Sequence, residues 1–251
     1  MKIGLISDIH SNWEALEVVL DKLEAEEVDK IFSSGDVIGY GPDPNKCVNA
    51  FLENSIVSVK GNHDAGLVGK LGLDFFNNLG YEAINWTKDR ITQSNMEFIG
   101  ALPITKFFPD ENICLLHGSS ASPLTHYILR KMDAFRSFQA RENDFSLQIY
   151  GHTHLPVVYE IHDDDVIEHR VFNPEEFQFD RGKTYLVNPG SVGQPRDGNW
   201  KSSFAILELT EKGLLDKVRF FREEYPVEET RQKIIDAGLP KRLGDRLLEG
   251  R

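Results

Sequence analysis

Five short segments place a metal-capable or proton-transferring side chain directly after a short apolar run: Asp8 and His10, Asp36, Asn62 and His63, His117, and then His152 and His154. The carboxyl ends of strands are where α/β sheets assemble sites. Each segment alone has a structural reading, with Asp8 capping the following helix, Gly35-Asp36 forming a turn, and His117 a hydrogen-bonded structural histidine. The set is harder to explain that way, because five of the eight histidines fall in these segments, all at strand ends. Imidazole and carboxylate without thiolate suit Mn, Fe, Co, Ni or Zn, whereas an all-oxygen set would select Mg or Ca. In an extended Gly151-His152-Thr153-His154 segment the two imidazoles point to opposite sides, which serves two ions better than one. The chemistry such a set offers is binuclear metal-assisted displacement.

The elements that must position these residues follow from apolar periodicity. Residues 2–7 read as a strand, and residues 12–25 as a helix through Trp13, Leu16, Leu20 and Leu23. Residues 30–33 and 56–59 read as strands around a helix at 44–52, so the first quarter predicts consecutive βαβ units with parallel strands. Residues 66–102 turn helical. Either they overhang the site as a cap that shapes its pocket, or their aromatics Phe75, Phe76 and Trp86 serve packing alone. Strand-like runs follow at 113–116, 147–150, 157–161, 185–187, 203–209 and 215–221, then a helix at 226–237 with Gly238 and Pro240 as stop signals. The acidic cluster at 163–165 reads as a solvated hairpin turn. The sum predicts one α/β domain over residues 1–251, a four-layer αββα sandwich of two mixed sheets with flanking helices and a helical cap insertion at 66–102.

A 251-residue chain that is 40% hydrophobic can bury one large core, and a formal charge of −12 opposes polymeric nucleic acid and anionic membrane as partners. That charge still admits a small phosphate ester, because cations held by acidic side chains invert the local field. Cys47 and Cys114 are the only cysteines, both in or beside apolar stretches, and read as reduced packed thiols. The apolar run before Asp8 is too short for a signal peptide and none later approaches a membrane span, so the expectation is a cytoplasmic protein.

Taken in order, Asp8-x-His10, Gly35-Asp36, Gly61-Asn62-His63-Asp64, His117 and Gly151-His152-x-His154 resemble the signature of the calcineurin-like metallophosphoesterases. The likeness to bacterial and archaeal members described as predicted phosphodiesterases extends through Asn188-Pro189-Gly190-Ser191-Val192-Gly193-Gln194-Pro195-Arg196 and the tail from 225 to 251. The resemblance implies two divalent or trivalent transition-metal ions. Asp8, His10 and His154 would hold the first, Asn62, His117 and His152 the second, and Asp36 would bridge them. It further implies a metal-bridging hydroxide as nucleophile toward a small phosphate monoester or diester, with His63 protonating the leaving group or steadying its charge. Asp64 then either orients His63 or caps a turn or helix. Arg196 is the candidate substrate-binding residue, with backbone N–H groups of residues 190–193 as a possible anion nest; the structural alternative is a plain loop with a surface arginine.

Where Ser/Thr protein phosphatases and dinucleoside tetraphosphatases resemble Gly-Asp followed by a phosphate-gripping Arg, this chain has Tyr40, which counts against both activities. Related sequences often resemble Gly-Ser-Pro-Arg-Asp-Pro after the third metal motif, whereas residues 118–123 here lack a basic residue. A non-catalytic scaffold is disfavoured because the ligand set and His63 are complete. His126 is read as a surface position rather than a pocket residue.

Overall fold

Parallel βα units open the chain, as the periodicity predicts. In the computed structural model, which describes residues 1–163 and 165–251, they are β1 (Lys2–Ile6), α1 (Trp13–Ala25), β2 (Lys30–Ser33), α2 (Pro44–Glu53) and β3 (Val57–Ser58). The helical excursion comprises α3 (Asn62–Leu67), a 3-10 turn (Leu73–Phe75), α4 (Asn78–Lys88) and α5 (Gln93–Ala101). Then come β4 (Thr105–Phe108), β5 (Ile113–Leu116), α6 (Lys131–Gln139), β6 (Leu147–Ile149), β7 (Val157–Ile161), β8 (Val166–Arg170), β9 (Glu175–Gln178), β10 (Thr184–Asn188), β11 (Ser202–Leu209) and β12 (Leu215–Glu223). Helices α7 (Val227–Asp236) and α8 (Lys241–Glu249) complete the chain as described.

The strands form two mixed six-stranded sheets, ordered β3-β2-β1-β11-β12-β9 and β4-β5-β6-β10-β7-β8. Strands β1, β2 and β3 run parallel, as do β5, β6 and β10, so the strands that precede the chemical segments are neighbours within each sheet. Period-two alternation assigns the strand faces. Ile3, Leu5, Ile113, Leu115, Ala205 and Leu207 are buried with Leu147, Ile149 and Val187 in one core cluster that joins both sheets. The alternate residues Ile6, Phe204 and Ile206 pack with Leu16, Val19 and Leu23 of α1, while Cys114 and Leu116 pack with Ala134 of α6. Helices therefore cover the outward faces. Truncating any of these buried Leu or Ile side chains to Ala would cost about 2–5 kcal/mol.

Helix α1 is capped by Asn12, whose side chain accepts from the Ala15 N–H at 3.2 Å. The same Asn12 amide donates to the Gly193 carbonyl at 2.8 Å, and its oxygen also accepts from Thr230 of α7 at 3.1 Å. One side chain thus joins the first helix, a loop beside the chemical segments and the C-terminal helices.

Five elements carried no clear signal in the sequence. Strands β4, β8 and β9 lie at sheet edges, and helices α6 and α8 bury few residues each. Strand β8 runs antiparallel to β7 with Val166 opposite Ile161, so the acidic cluster at 163–165 joins a hairpin; Asp164 itself lies outside the described residues.

Candidate metal centre

Each chemical segment leaves a strand end and turns sharply. Asp8, His10, Asp36, His152 and His154 adopt positive φ between 50° and 67°, a left-handed region costly for non-glycine residues. The surroundings hold them there. Asp8 and His10 donate their N–H groups to the carbonyls of Gly35 and Asp36, both at 3.0 Å, zipping the first two loops together. The Asp8 carboxylate accepts from the His152 N–H at 3.1 Å, which ties the first sheet to the loop after β6.

The histidine pair does not follow the expected geometry. His152 and His154 diverge because both are left-handed, not because an extended strand alternates them. His152 Nδ1 lies 3.0 Å from His117 Nε2, whereas His154 Nε2 lies 3.2 Å from His10 Nε2 and 3.4 Å from Asp8 Oδ1. Asp36 stands between the two groups. Its Oδ2 is 3.4 Å from His117 Nε2 and 3.7 Å from His10 Nε2, while Oδ1 accepts the His63 backbone N–H at 2.9 Å. Asn62 Oδ1 reaches His117 Nε2 at 3.0 Å. Donor atoms of Asp8, His10 and His154 lie within 4.8 Å of one another, as do those of Asp36, His117 and His152, and those of His10, Asp36 and His63.

Metal ions fit this arrangement, and the reason is the outward-facing nitrogens. His10 Nδ1, His117 Nδ1, His152 Nε2 and His154 Nδ1 each meet a backbone carbonyl, of Ile38, Ser34, Thr125 and Gln194 at 3.3, 2.8, 3.3 and 2.5 Å. A carbonyl can only accept, so each of those nitrogens carries the proton. The opposite nitrogen of each neutral ring then presents a bare lone pair to the centre. Burial drives His10, His152 and His154 well below the usual imidazole pKa and keeps them neutral, with neighbouring histidines pushing the same way. Lone pairs facing each other about 3 Å apart repel unless a cation or proton lies between them. In the metal-free chain protons serve: burial, which disfavours its cation, is outweighed at His117 by the Asp36 charge and hydrogen bond, lifting it to about 9. Burial raises the Asp8 carboxyl to about 7.

His63 is buried and its Nδ1 has no hydrogen-bond partner. Its ring contacts Tyr40, His10 and Phe76 at centroid distances of 4.5, 4.9 and 5.0 Å. Burial lowers it to about 4 against the pull of Asp36, with the Arg196 and His117 charges adding to the lowering. Asp64 caps the backbone around it: its carboxylate accepts from Gly61 N–H at 2.9 Å, Val37 N–H at 3.1 Å and Ile38 N–H at 3.2 Å. The capping reading of Asp64 is the one the contacts match, and it clamps the Asp36 loop as well. Gly61 is required here, because a Cβ would strike both the Asp36 carboxylate and its backbone nitrogen.

Two expectations need correction. The loop at 190–193 offers no anion nest: the N–H groups of Gly190, Val192 and Gly193 are taken by Asn188 Oδ1 and the Ser7 and Asp8 carbonyls at 2.8, 2.9 and 3.0 Å. The loop instead buttresses Asp8, and Gly193 approaches the Ile9 carbonyl too closely for any Cβ. Nor are Phe75 and Phe76 simply core residues, since both line the cavity above the donor cluster and Phe75 is 68% exposed.

That cavity, about 80 Å³, is lined by Asp36, Tyr40, Asn62, His63, Phe75, Phe76, Asn77, Tyr127, His152, His154 and Arg196. A water occupies roughly 30 Å³ of liquid and drug-sized ligand pockets span roughly 300–1,000 Å³, so the space beside the donors suits a phosphate-sized head rather than a whole drug-sized ligand. His126 is absent from the lining, while its neighbour Tyr127 stacks on His152 at 3.8 Å. Arg196 donates to Gln194 Oε1 at 2.8 Å and lies 6.0 Å from the Tyr40 ring centroid; Arg246 of α8 lies 5.7 Å from the same centroid. Asn77 and Tyr127, which line the cavity, and Arg246, which lies against Tyr40 outside it, carry no motif in the sequence and come to these places only through folding.

Comparison with known proteins agrees with this geometry. The calcineurin-like phosphoesterase superfamily domain matches residues 1–212. The chain is 38% identical to the uncharacterized protein MJ0912 of Methanocaldococcus jannaschii, over 99% of this chain and 98% of the relative. It is 24% identical to the phosphodiesterase YfcE of Escherichia coli, over 83% and 88%. Its backbone matches a metallophosphoesterase from Sphaerobacter thermophilus with TM-score 0.85 and 35% identity, covering all of both chains. From strand-end donors, paired imidazoles and these matches together, the chain belongs to the calcineurin-like phosphoesterase superfamily and is a hydrolase of phosphate esters.

Proposed function

We propose that the chain hydrolyses small phosphate monoesters or diesters, nucleotides among them, at a two-metal centre held by Asp8, His10 and His154 on one side and Asn62, His117 and His152 on the other, with Asp36 shared. The observation that carries this reading is the position of Asp36 Oδ2, within 3.4 to 3.7 Å of one imidazole from each group. Bound Mn, Fe, Co, Ni or Zn would supply a strong nucleophile at neutral pH, by lowering the pKa of water, and positive charge for the phosphoryl oxygens.

The chain's own residues supply the rest. The small cavity admits the phosphate and holds the remainder of the ester at the rim, with Arg196 offering charge-assisted hydrogen bonds to phosphoryl oxygens. His63, kept neutral by burial, donates a hydrogen bond or a proton toward the leaving oxygen. The segment 66–102 acts as a cap through Phe75, Phe76 and Asn77, within a single domain. Among the described residues no helix is long and apolar enough to cross a membrane, and both thiols are buried and unpaired, which supports a cytoplasmic setting.

The test is hydrolysis of a phosphate monoester and its matching diester by Mn-supplemented protein, with a chelator and Asp36→Asn as controls. Turnover that the chelator abolishes and Asp36→Asn lacks is the expected result. Undiminished turnover in Asp36→Asn would refute the shared-ligand role.

A further inference from the structure

Beside the metal cavity lies a larger groove of about 860 Å³ between the start of α4 and helix α8, lined by Asn77, Leu79, Arg242, Arg246 and their neighbours. Asn77 lines both spaces, so the groove adjoins the cavity directly. The acidic residues of the groove are already engaged: Asp245 with Arg231 at 2.8 Å, and Glu249 with Arg251 at 3.3 Å. Arg242 and Arg196, by contrast, have no Asp or Glu carboxylate within 4.0 Å among the described residues, in a chain of net charge −12, and Arg246 meets only the last main-chain oxygen, of Arg251, through Nε, its two terminal nitrogens having no protein acceptor there. Arg246 and Arg196 both lie against Tyr40, whose ring is 4.7 Å from His10 and 4.5 Å from His63. Two cationic groups therefore converge one aromatic ring away from the chemistry.

Their positions are fixed by the fold. Arg246 Nε donates to the main-chain oxygen of Arg251, the last residue of the chain as given. The loop carrying Arg196 is tied to the end of α8 by the Gly198 N–H on the Gly250 carbonyl at 3.0 Å, and Asp197 in that loop pairs with Arg222. Holding like charges near one another is unfavourable, and an anion at the free terminal nitrogens of Arg246 would relieve it. A cavity this small leaves the larger part of an ester outside it, and the adjoining groove carries Arg242 and Arg246.

We infer that Arg246, on the groove side of Tyr40 while Arg196 serves the reacting phosphate in the cavity, binds a second anionic group carried by the substrate beyond that phosphate. The enzyme is thereby selective for phosphate esters whose other portion bears a further phosphate or carboxylate. This rests on the hydrolytic reading of the adjacent centre. It also accounts for Tyr40 at the motif position where related phosphatases place an arginine: the guanidinium comes from the C-terminal helix and serves the distal group.

The experiment compares ligands that differ only in distal charge, by calorimetric binding to the full-length Mn-loaded chain carrying His63→Gln throughout to suppress their hydrolysis. The pairs are 3-phosphoglycerate against glycerol 3-phosphate, and 6-phosphogluconate against sorbitol 6-phosphate, two spans between phosphate and carboxylate. The acid of at least one pair should bind about tenfold tighter, the scale of one charge-assisted hydrogen bond. Arg246→Gln should collapse that ratio toward one, Arg246→Lys should restore part of it, and the exposed Arg181→Gln should leave it as in the wild type. Equal affinities in both wild-type pairs, or an equal loss for acid and neutral ligand in Arg246→Gln, would overturn the inference, the latter marking a purely structural arginine or one on the reacting phosphate. Because binding is read without turnover, failure of hydrolysis would count against the proposed activity and not against this result.

Discussion

Replacing Asp64 by Asn changes one oxygen to an NH₂ group at a carboxylate that touches neither a metal donor atom nor the cavity, yet both should feel it. Asp64 Oδ1 accepts from Val37 and Ile38 N–H at 3.1 and 3.2 Å, and Oδ2 accepts from Gly61 N–H at 2.9 Å. Whichever way the amide is turned, its NH₂ faces a buried backbone N–H, and at least one donor loses its partner. Such an orphaned group costs about 1–3 kcal/mol. In a chain of this length each kcal/mol moves Tm by roughly 2–4 °C, so a drop of roughly 2–12 °C is expected. Asp64→Ala removes all three acceptor contacts and should fall at or beyond the upper end. The Val37 and Ile38 N–H groups follow Asp36 directly, so loosening them should also lower metal occupancy. The assay is differential scanning calorimetry of chelator-treated protein, which removes the stabilisation bound metal would add, together with elemental analysis after dialysis against Mn. An Asn variant with wild-type Tm in the metal-free state and wild-type metal content would refute the clamp.

His63→Gln should retain the wild-type metal content by elemental analysis and lose about 10²–10⁴-fold in kcat, the usual scale of a proton-transfer group; parallel loss of metal would make His63 a ligand instead. Metal loading should release protons, because Asp8 at about 7 and His117 at about 9 hold them in the metal-free chain. Mn affinity should therefore rise from pH 6 to pH 9, and calorimetry in buffers of different ionisation heat would read it. The same raised values contribute stability to the metal-free fold that is lost as pH climbs through about 7 and 9, so its Tm should decline across that window while the metal-bound form holds. Gly193→Ala should destabilise by at least about 1–3 kcal/mol, because its Cβ would drive into the Ile9 carbonyl; an unchanged denaturation midpoint would show that the loop shifts freely.

The candidate donors that the structure brings together were legible in the sequence because their signals are local: an apolar run followed by Gly-Asp, Asn-His or His-x-His declares a strand end and a side chain able to bind metal within a few residues. The parallel βα units at the start were legible for the same reason, their apolar residues recurring at the right period. Edge strands β4, β8 and β9 were not, since a strand paired on one side leaves residues such as Ile167 and Glu175 exposed and dilutes the alternation. Helix α8 escaped too: it buries Leu243 and Leu247 but few other apolar groups. The tertiary structure decided what local signals could not carry. Left-handed backbone, rather than strand alternation, sends His152 to His117 and His154 to His10. Hydrogen bonds across the molecule turn the 190–193 loop from an anion site into a support for Asp8. Chain-end packing brings Arg246 to Tyr40. Residue types are properties of the sequence, but which lone pair faces which charge depends on contacts between segments far apart in the chain, and those exist only once the sheets have packed.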